Sequence, residues 1–266
     1  MELEIPRTSL YRRAADLACA LTLAAPVALG ACSSDSTPAN CASAGAPSTE
    51  QPVCPSAAEA TNPTLLVDDM ENQSALLPAI AGRSGSWWAA GDSTPGASYQ
   101  PADGMLPELL PEPRCDSRHA MRFSGQGFNE WGALFGLSFA YAPLPSGEYG
   151  AVSYDAHLHT GVSFWARIGD TSTNLVSITV QGRMTEPVPR PCPKEEPAGD
   201  GCVDGFSAPL VGLDTTWRHF ELPFSGLAQH HPVVTGTLDS AGLYALTFGF
   251  PPATIFDFWV DDLTFY

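Results

Sequence analysis

The chain has 266 residues, 44% of them hydrophobic and 15% charged, with 24 glycines and 25 prolines. That composition supports one large domain or two small ones built from short strands and many turns, and it argues against long helices. A formal charge of −17 repels phosphates and anionic lipid, so nucleic acid and the bare bilayer surface are excluded as direct partners, whereas bound cations or plain solubility suit it.

Arg12 and Arg13 precede an apolar stretch from Leu17 to Ala31. It is short for a membrane span and has the layout of a signal peptide. It ends in Leu29-Gly30-Ala31-Cys32, which resembles the bacterial lipobox. Residues 1–31 are therefore expected to be a lipoprotein signal peptide and Cys32 the lipidated first residue of the mature chain. Acyl chains on Cys32 would anchor the protein through many buried methylenes. Ser33, by the same resemblance, fits sorting to the outer membrane. The expected location is thus the cell envelope, after export, with the membrane contacted only through the anchor.

Residues 32–64 are dominated by Ser, Ala, Pro and Thr without apolar periodicity, which predicts a disordered linker. It would reach on the order of 100 Å when extended. An exported protein is expected to use its cysteines in disulfides. Cys192 with Cys202 would stiffen a Pro/Gly-rich loop, and Cys41 with Cys54 would close a small loop in the linker, leaving Cys115 over. The spacings do not suit zinc.

From Leu65 the pattern is strand and turn. Period two is clear in "GVSFWARI" (Val162, Phe164, Ala166, Ile168) and in "NLVSITVQGR" (Val176, Ile178, Val180). It recurs in "WRHFELPF" (Phe220, Leu222, Phe224) and "LYALTFGF" (Tyr244, Leu246, Phe248, Phe250). About nine strands across residues 65–266 predict an all-β, two-sheet antiparallel jelly-roll sandwich.

The segments "DDMEN", "GRSGSWWAAGD", "GQGFNEWGALFG", "GVSFWARIGD", "WRHFELPFSGLAQ" and "FDFWVDDLTFY" occur in that order. Together they resemble the galactose-binding-like jelly rolls, the architecture of many carbohydrate-binding modules, and in particular lipoproteins of this type in soil-dwelling Gram-negative bacteria such as myxobacteria. The resemblance implies that the first and last strands lie side by side and that a structural Ca²⁺ is bound where they meet. The matching positions are Asp68, Asp69 and Glu71 at the start and Asp261 and Asp262 at the end. Calcium takes six to eight oxygens and would remove the repulsion between these carboxylates. The same acids also suit arginine or backbone N–H partners, or solvent. With Leu263 and Phe265 inward, Asp261 points in and Asp262 out unless a bulge intervenes, so the phase stays open.

Sugar rings stack on aromatic faces and are oriented by polar neighbours. Candidate ligand residues are Trp88 with Asp92, the cluster Asn129, Glu130 and Trp131, and Trp165 with Arg167; each tryptophan equally suits core packing. Trp217 and Trp259 are assigned to the core. No nucleophile elbow, HExxH, P-loop or dinucleotide fingerprint occurs, and no catalytic residue is nominated. His157 and His159 share a face but are too few for a metal site, and His230-His231 read as a solvated loop. The sequence thus points to a non-catalytic, carbohydrate-binding envelope lipoprotein. A structural or adhesive envelope protein without sugar affinity, or a polysaccharide hydrolase, are the alternatives.

Overall fold

A computed structural model describes residues 64–102, 104–183, 185, 204–229 and 237–266. The signal segment, Cys32, the linker with Cys41 and Cys54, the loop with Cys192 and Cys202, and His230-His231 lie outside the described residues.

Among the described residues there are fourteen strands and two short 3₁₀ turns. The strands are β1 (Leu66–Asp68), β2 (Ser86–Gly91), β3 (Ser98–Gln100), β4 (Glu108–Arg114), β5 (Ser117–Gln126), β6 (Ala133–Ser138), β7 (Ala140–Pro143) and β8 (Tyr149–Val152), followed by β9 (Gly161–Ile168), β10 (Ser177–Gly182), β11 (Phe206–Pro209), β12 (Arg218–Pro223), β13 (Leu243–Phe250) and β14 (Phe256–Phe265). The count exceeds the nine expected because several strands span only three or four residues, too short to show a period.

One sheet, A, runs β12-β9-β14-β5-β3, with β1 on β14 and β4 on β5. The other, B, runs β11-β10-β13-β6-β2, and β7 and β8 form a separate hairpin. The chain is the expected two-sheet antiparallel jelly-roll sandwich, passing directly between the sheets at β1–β2–β3, β5–β6, β9–β10 and β11–β12–β13–β14. Val162, Phe164, Ala166 and Ile168 face the core, as do Val176, Ile178 and Val180. A ladder of fully buried phenylalanines fills the interior: Phe123 packs on Phe135 at 5.5 Å and on Phe256 at 5.0 Å, and Phe248 on Phe258 at 4.8 Å. Burying each such ring stabilises the fold by about 1.5–3 kcal/mol.

The first and last strands do pair, Leu66 with Thr264 and Asp68 with Leu263. A bulge settles the phase of β14. Asp262 takes a left-handed φ of 47°, so Phe256, Phe258 and Val260 face the core before it and Leu263 and Phe265 after it. The extra residue puts Asp261 on the outer side of sheet A instead of in the core.

Two expectations are corrected and one is refined. Leu243, not Tyr244, joins Leu246 in the core, because the β10–β13 register shifts at Gln181 and Gly182. Trp259 is buried in a hydrophobic cluster as expected, with Trp217 packed against it, but the cluster is a second, smaller one with Leu110 and Ala120 on the outer side of sheet A. Cys115, in the β4–β5 turn, is not left over: it is disulfide-bonded.

Candidate functional site

The five nominated metal ligands are held by hydrogen bonds to protein groups, Asp68 and Asp69 apart from the other three. Asp68 is fully buried; its Oδ1 accepts the Met70 N–H at 3.0 Å and its Oδ2 the Trp87 indole N–H at 2.8 Å. Burial outweighs those bonds and pushes its pKa up to about 6. Asp69 accepts the Glu71 N–H. Glu71 accepts backbone N–H groups from Arg118 and His119 at 2.7 and 2.8 Å, and its other oxygen lies 3.0 Å from His119 Nδ1. Burial pushes Glu71 up, but these bonds bring its carboxyl below the usual range.

Asp261 and Asp262 converge on Arg114. The guanidinium donates to Asp261 Oδ2 through Nη2 at 2.8 Å and Nε at 3.2 Å, and to Asp262 Oδ2. Ser117 Oγ lies 2.7 Å from Asp261 and 3.3 Å from Glu71. Burial and the charge of Asp262 raise the Asp261 pKa, opposed by Arg114 and Ser117. So arranged, these acids do not fit a calcium ion. The cation between Asp261 and Asp262 is an arginine, and among the described residues no three His, Cys, Asp or Glu side chains gather in a way that could hold a metal. His157 and His159 also part: His157 pairs with Asp155, while His159 stacks on Phe265 at 4.7 Å.

The nominated ligand residues divide over three places. Trp165 and Arg167 are on the outer side of sheet A, where cross-strand neighbours build a stack of alternating cations and rings. Arg122 lies over Trp259 at 4.8 Å, Arg167 over Trp259 at 5.0 Å and over Trp217 at 5.4 Å. Arg114 lies over Trp217 at 5.7 Å and over Trp165 at 4.7 Å. Two of the arginines are pinned by carboxylates, Arg114 as above and Arg122 by both oxygens of Asp257 at 2.8 and 3.0 Å. Trp165 and Trp259 are each only 5% exposed. Their faces already carry guanidinium groups, which closes them to a sugar ring.

Asp92 is a structural residue. One of its oxygens accepts the Glu130 and Gly132 N–H groups and the other that of Thr94, joining the end of β2 to the β5–β6 loop. Burial pushes Asp92 up, but these bonds hold its pKa below the usual range. Asn129 and Glu130 stay exposed and Trp131 half-buried beyond the last β2–β6 pair, Gly91 with Ala133.

Trp88 stands on the outer side of sheet B, half-buried. Four strand registers give the row that crosses the sheet from it. Trp88 is opposite Gly136, Gly136 opposite Thr247, Thr247 opposite Thr179, and Thr179 opposite Ser207. A Cβ at Gly136 would lie 2.3 Å from the Leu246 carbonyl oxygen, so glycine is required next to Trp88. The rows on either side hold Ser138, Ala245 and Gln181, and Leu134, Gly249 and Ser177. Although they point outward, Leu134 is 7% and Thr247 4% exposed, so the floor is recessed. Tyr141 reaches this margin, its hydroxyl donating to Ser138 Oγ. The Asn129–Trp131 loop follows at the end of the same strand pair, about 10 Å along β2 from Trp88. Of the nominated residues, the fold therefore groups Trp88 with Asn129, Glu130 and Trp131, and separates them from Trp165 and Arg167. The hydroxyl row and Arg114 escape sequence reasoning because their partners are set by register.

No family model matches the chain, and no curated protein matches it. Among solved structures it is similar to the family 11 carbohydrate-binding module of the Clostridium thermocellum cellulase Lic26A-Cel5E, at 15% identity over 75% of this chain and 92% of that one, with a TM-score of 0.46. It is similar to a family 30 carbohydrate-binding module at 13% identity, 67% and 91% coverage and a TM-score of 0.46. It also resembles the K1 cleaved adhesin domain of the Lys-gingipain of Porphyromonas gingivalis W83, at 15% identity, 75% and 95% coverage and a TM-score of 0.33.

Proposed function

We propose that this chain is an exported envelope protein, lipid-anchored through Cys32, whose sandwich binds carbohydrate without acting on it. The carrying observation is the row Trp88–Gly136–Thr247–Thr179–Ser207 across sheet B. An indole at one edge offers a face for the C–H side of a sugar ring, and the low glycine beside it leaves room for the ring. Of the hydroxyls that continue the row, Thr247 is buried and donates to the Thr179 carbonyl and Ser207 donates to the Ala228 carbonyl, so the half-buried Thr179 and Ser207 oxygens are the ones placed to accept from a polyol. The exposed Asn129 and Glu130 add polar groups at the end of β2. Such a shallow, neutral contact suits affinities of roughly mM to μM. Binding without catalysis is favoured because the two acids with raised pKa values, Asp68 and Asp261, are fully buried and hydrogen-bonded, out of reach of a glycosidic oxygen.

The test is a screen of the mature protein against soluble and insoluble polysaccharides, followed by titration of the best ligand into Trp88→Ala. Binding that falls at least tenfold at unchanged melting temperature supports the site. A folded protein that binds no glycan would leave a structural or adhesive envelope protein, and product release from any polysaccharide would make it a hydrolase. Anchoring is checked separately by incorporation of a labelled fatty acid, which Cys32→Ser should abolish.

A further inference from the structure

The junction between the first and last strands concentrates negative charge. Asp261 and Asp262 are adjacent, and Glu71 reaches the same Ser117 hydroxyl as Asp261. The Asp261 and Arg114 side chains are 0% and 2% exposed, so water does little to screen them. Carboxylates held this closely in a poorly hydrated place require a cation.

That cation is supplied from the middle of the chain. Arg114 ends β4, 147 residues before Asp261 in sequence, and is carried to the junction because the β4–β5 hairpin pairs Arg114 with Ser117 beside β14. Its guanidinium bonds both aspartates and is flanked by Trp165 and Trp217. Its Nη1 has no hydrogen-bond partner, in keeping with indole walls around it. A planar, weakly hydrated cation suits that slot. A calcium ion needs six to eight oxygens around it, and two sides here are aromatic. Glu71 is already engaged by Arg118, His119 and Ser117.

We infer that Arg114 is the resident structural cation of this junction, stapling the β4–β5 hairpin to the last strand as a bound metal would, and that the domain folds without calcium. This does not depend on the sugar-binding reading.

The test is thermal unfolding of the mature protein in millimolar calcium and in EDTA, with Arg114 variants alongside. The wild type should melt at the same temperature in both. Arg114→Gln should melt on the order of 10 °C lower, because it strands buried carboxylates. Arg114→Gln combined with Asp261→Asn should recover part of that loss, since the unpaired charge is then gone. A wild-type melting temperature that falls in EDTA and returns with calcium would overturn the inference. So would an Arg114→Gln protein as stable as wild type, or a double variant with no recovery, which would reduce Arg114 to a packing residue. Should Arg114→Gln yield no folded protein, the wild-type comparison in EDTA decides alone.

Discussion

The two outer faces of the sandwich use aromatic residues in opposite ways. On sheet A, Trp165, Trp217 and Trp259 interleave with Arg114, Arg122 and Arg167, and Asp257, Asp261 and Asp262 fix two of those arginines from behind. On sheet B, Trp88 stands beside glycine and a row of hydroxyls, and among the described residues no arginine stacks on its ring. One face is a second, polar-aromatic core; the other is a recessed floor with a half-buried indole at its edge. A tryptophan count therefore says little about sugar binding, and what lies against each ring decides it.

The largest expected effect breaks the sheet A layer. Trp259→Ala removes a ring packed against Leu110, Ala120, Arg122 and Arg167. It should destabilise by about 3–5 kcal/mol in urea unfolding. If the two faces are as different as their contacts, the folded fraction of this variant should still bind glycan. Loss of binding at constant fold would move the site to sheet A.

Next comes the mounting of β2. Trp87 points into the core, stacked on Phe135 at 5.0 Å, and its indole is held by Asp68, while Trp88 points out. Because the folded pKa of Asp68 is raised to about 6 from 3.8, the folded state binds this proton more tightly than the unfolded state does. The contribution of this group is then fully present below pH 4 and is lost as pH rises from about 4 to 6, a decline of up to roughly 3 kcal/mol. Asp68→Asn, which keeps an acceptor for the indole, should flatten that decline and be the more stable protein at pH 8. Unfolding curves at pH 4, 6 and 8 check it; parallel pH profiles for both proteins would show that Asp68 is not the titrating group.

Smaller in stability but large in function is Trp88→Ala. A half-buried edge residue should cost no more than about 1 kcal/mol, while glycan affinity falls tenfold or more. A variant that loses both fold and binding would show Trp88 to be a core residue and erase the contrast between the faces.

The strands of the core were legible because period-two alternation survives within each: Val162 to Ile168 and Val176 to Val180 face inward as their spacing requires. The resemblance also anticipated the pairing of the first and last strands. What failed has local causes. A single left-handed residue, Asp262, shifts the phase of β14, and no property of "VDDL" announces a bulge. Trp259 alternates with the inward Phe258 and Val260, so it and Trp217 are buried on the outer side of the sheet, where arginines cover them. The row through Trp88 draws one residue from each of five strands, four of them between residues 88 and 207 and the fifth contributing Thr247. Only strand register assembles it. Arg114 is illegible in the sequence for the same reason, since its carboxylate partners lie 147 and 148 residues away.

The smallest effect sharpens the comparison within sheet A itself, between the middle of its layer and its rim. Arg218, next to Trp217 in sequence, pairs with Asp214 four residues earlier, and the Asp214 side chain is 42% exposed. The guanidinium, helped by Thr216, holds the Asp214 carboxyl down at about 2. That shift arises in a well-hydrated place, where screening leaves little net stabilisation. Arg218→Ala should therefore change stability by less than about 0.5 kcal/mol at physiological salt. Any contribution present near neutral pH should vanish as pH drops through 4 towards 2, where Asp214 protonates in both states. Measured beside Arg114→Gln, the pair of variants separates two arginines of one face by their surroundings alone. Equal losses from both would mean that burial and indole contact contribute nothing to the layer, and the account of sheet A as a second core would fail.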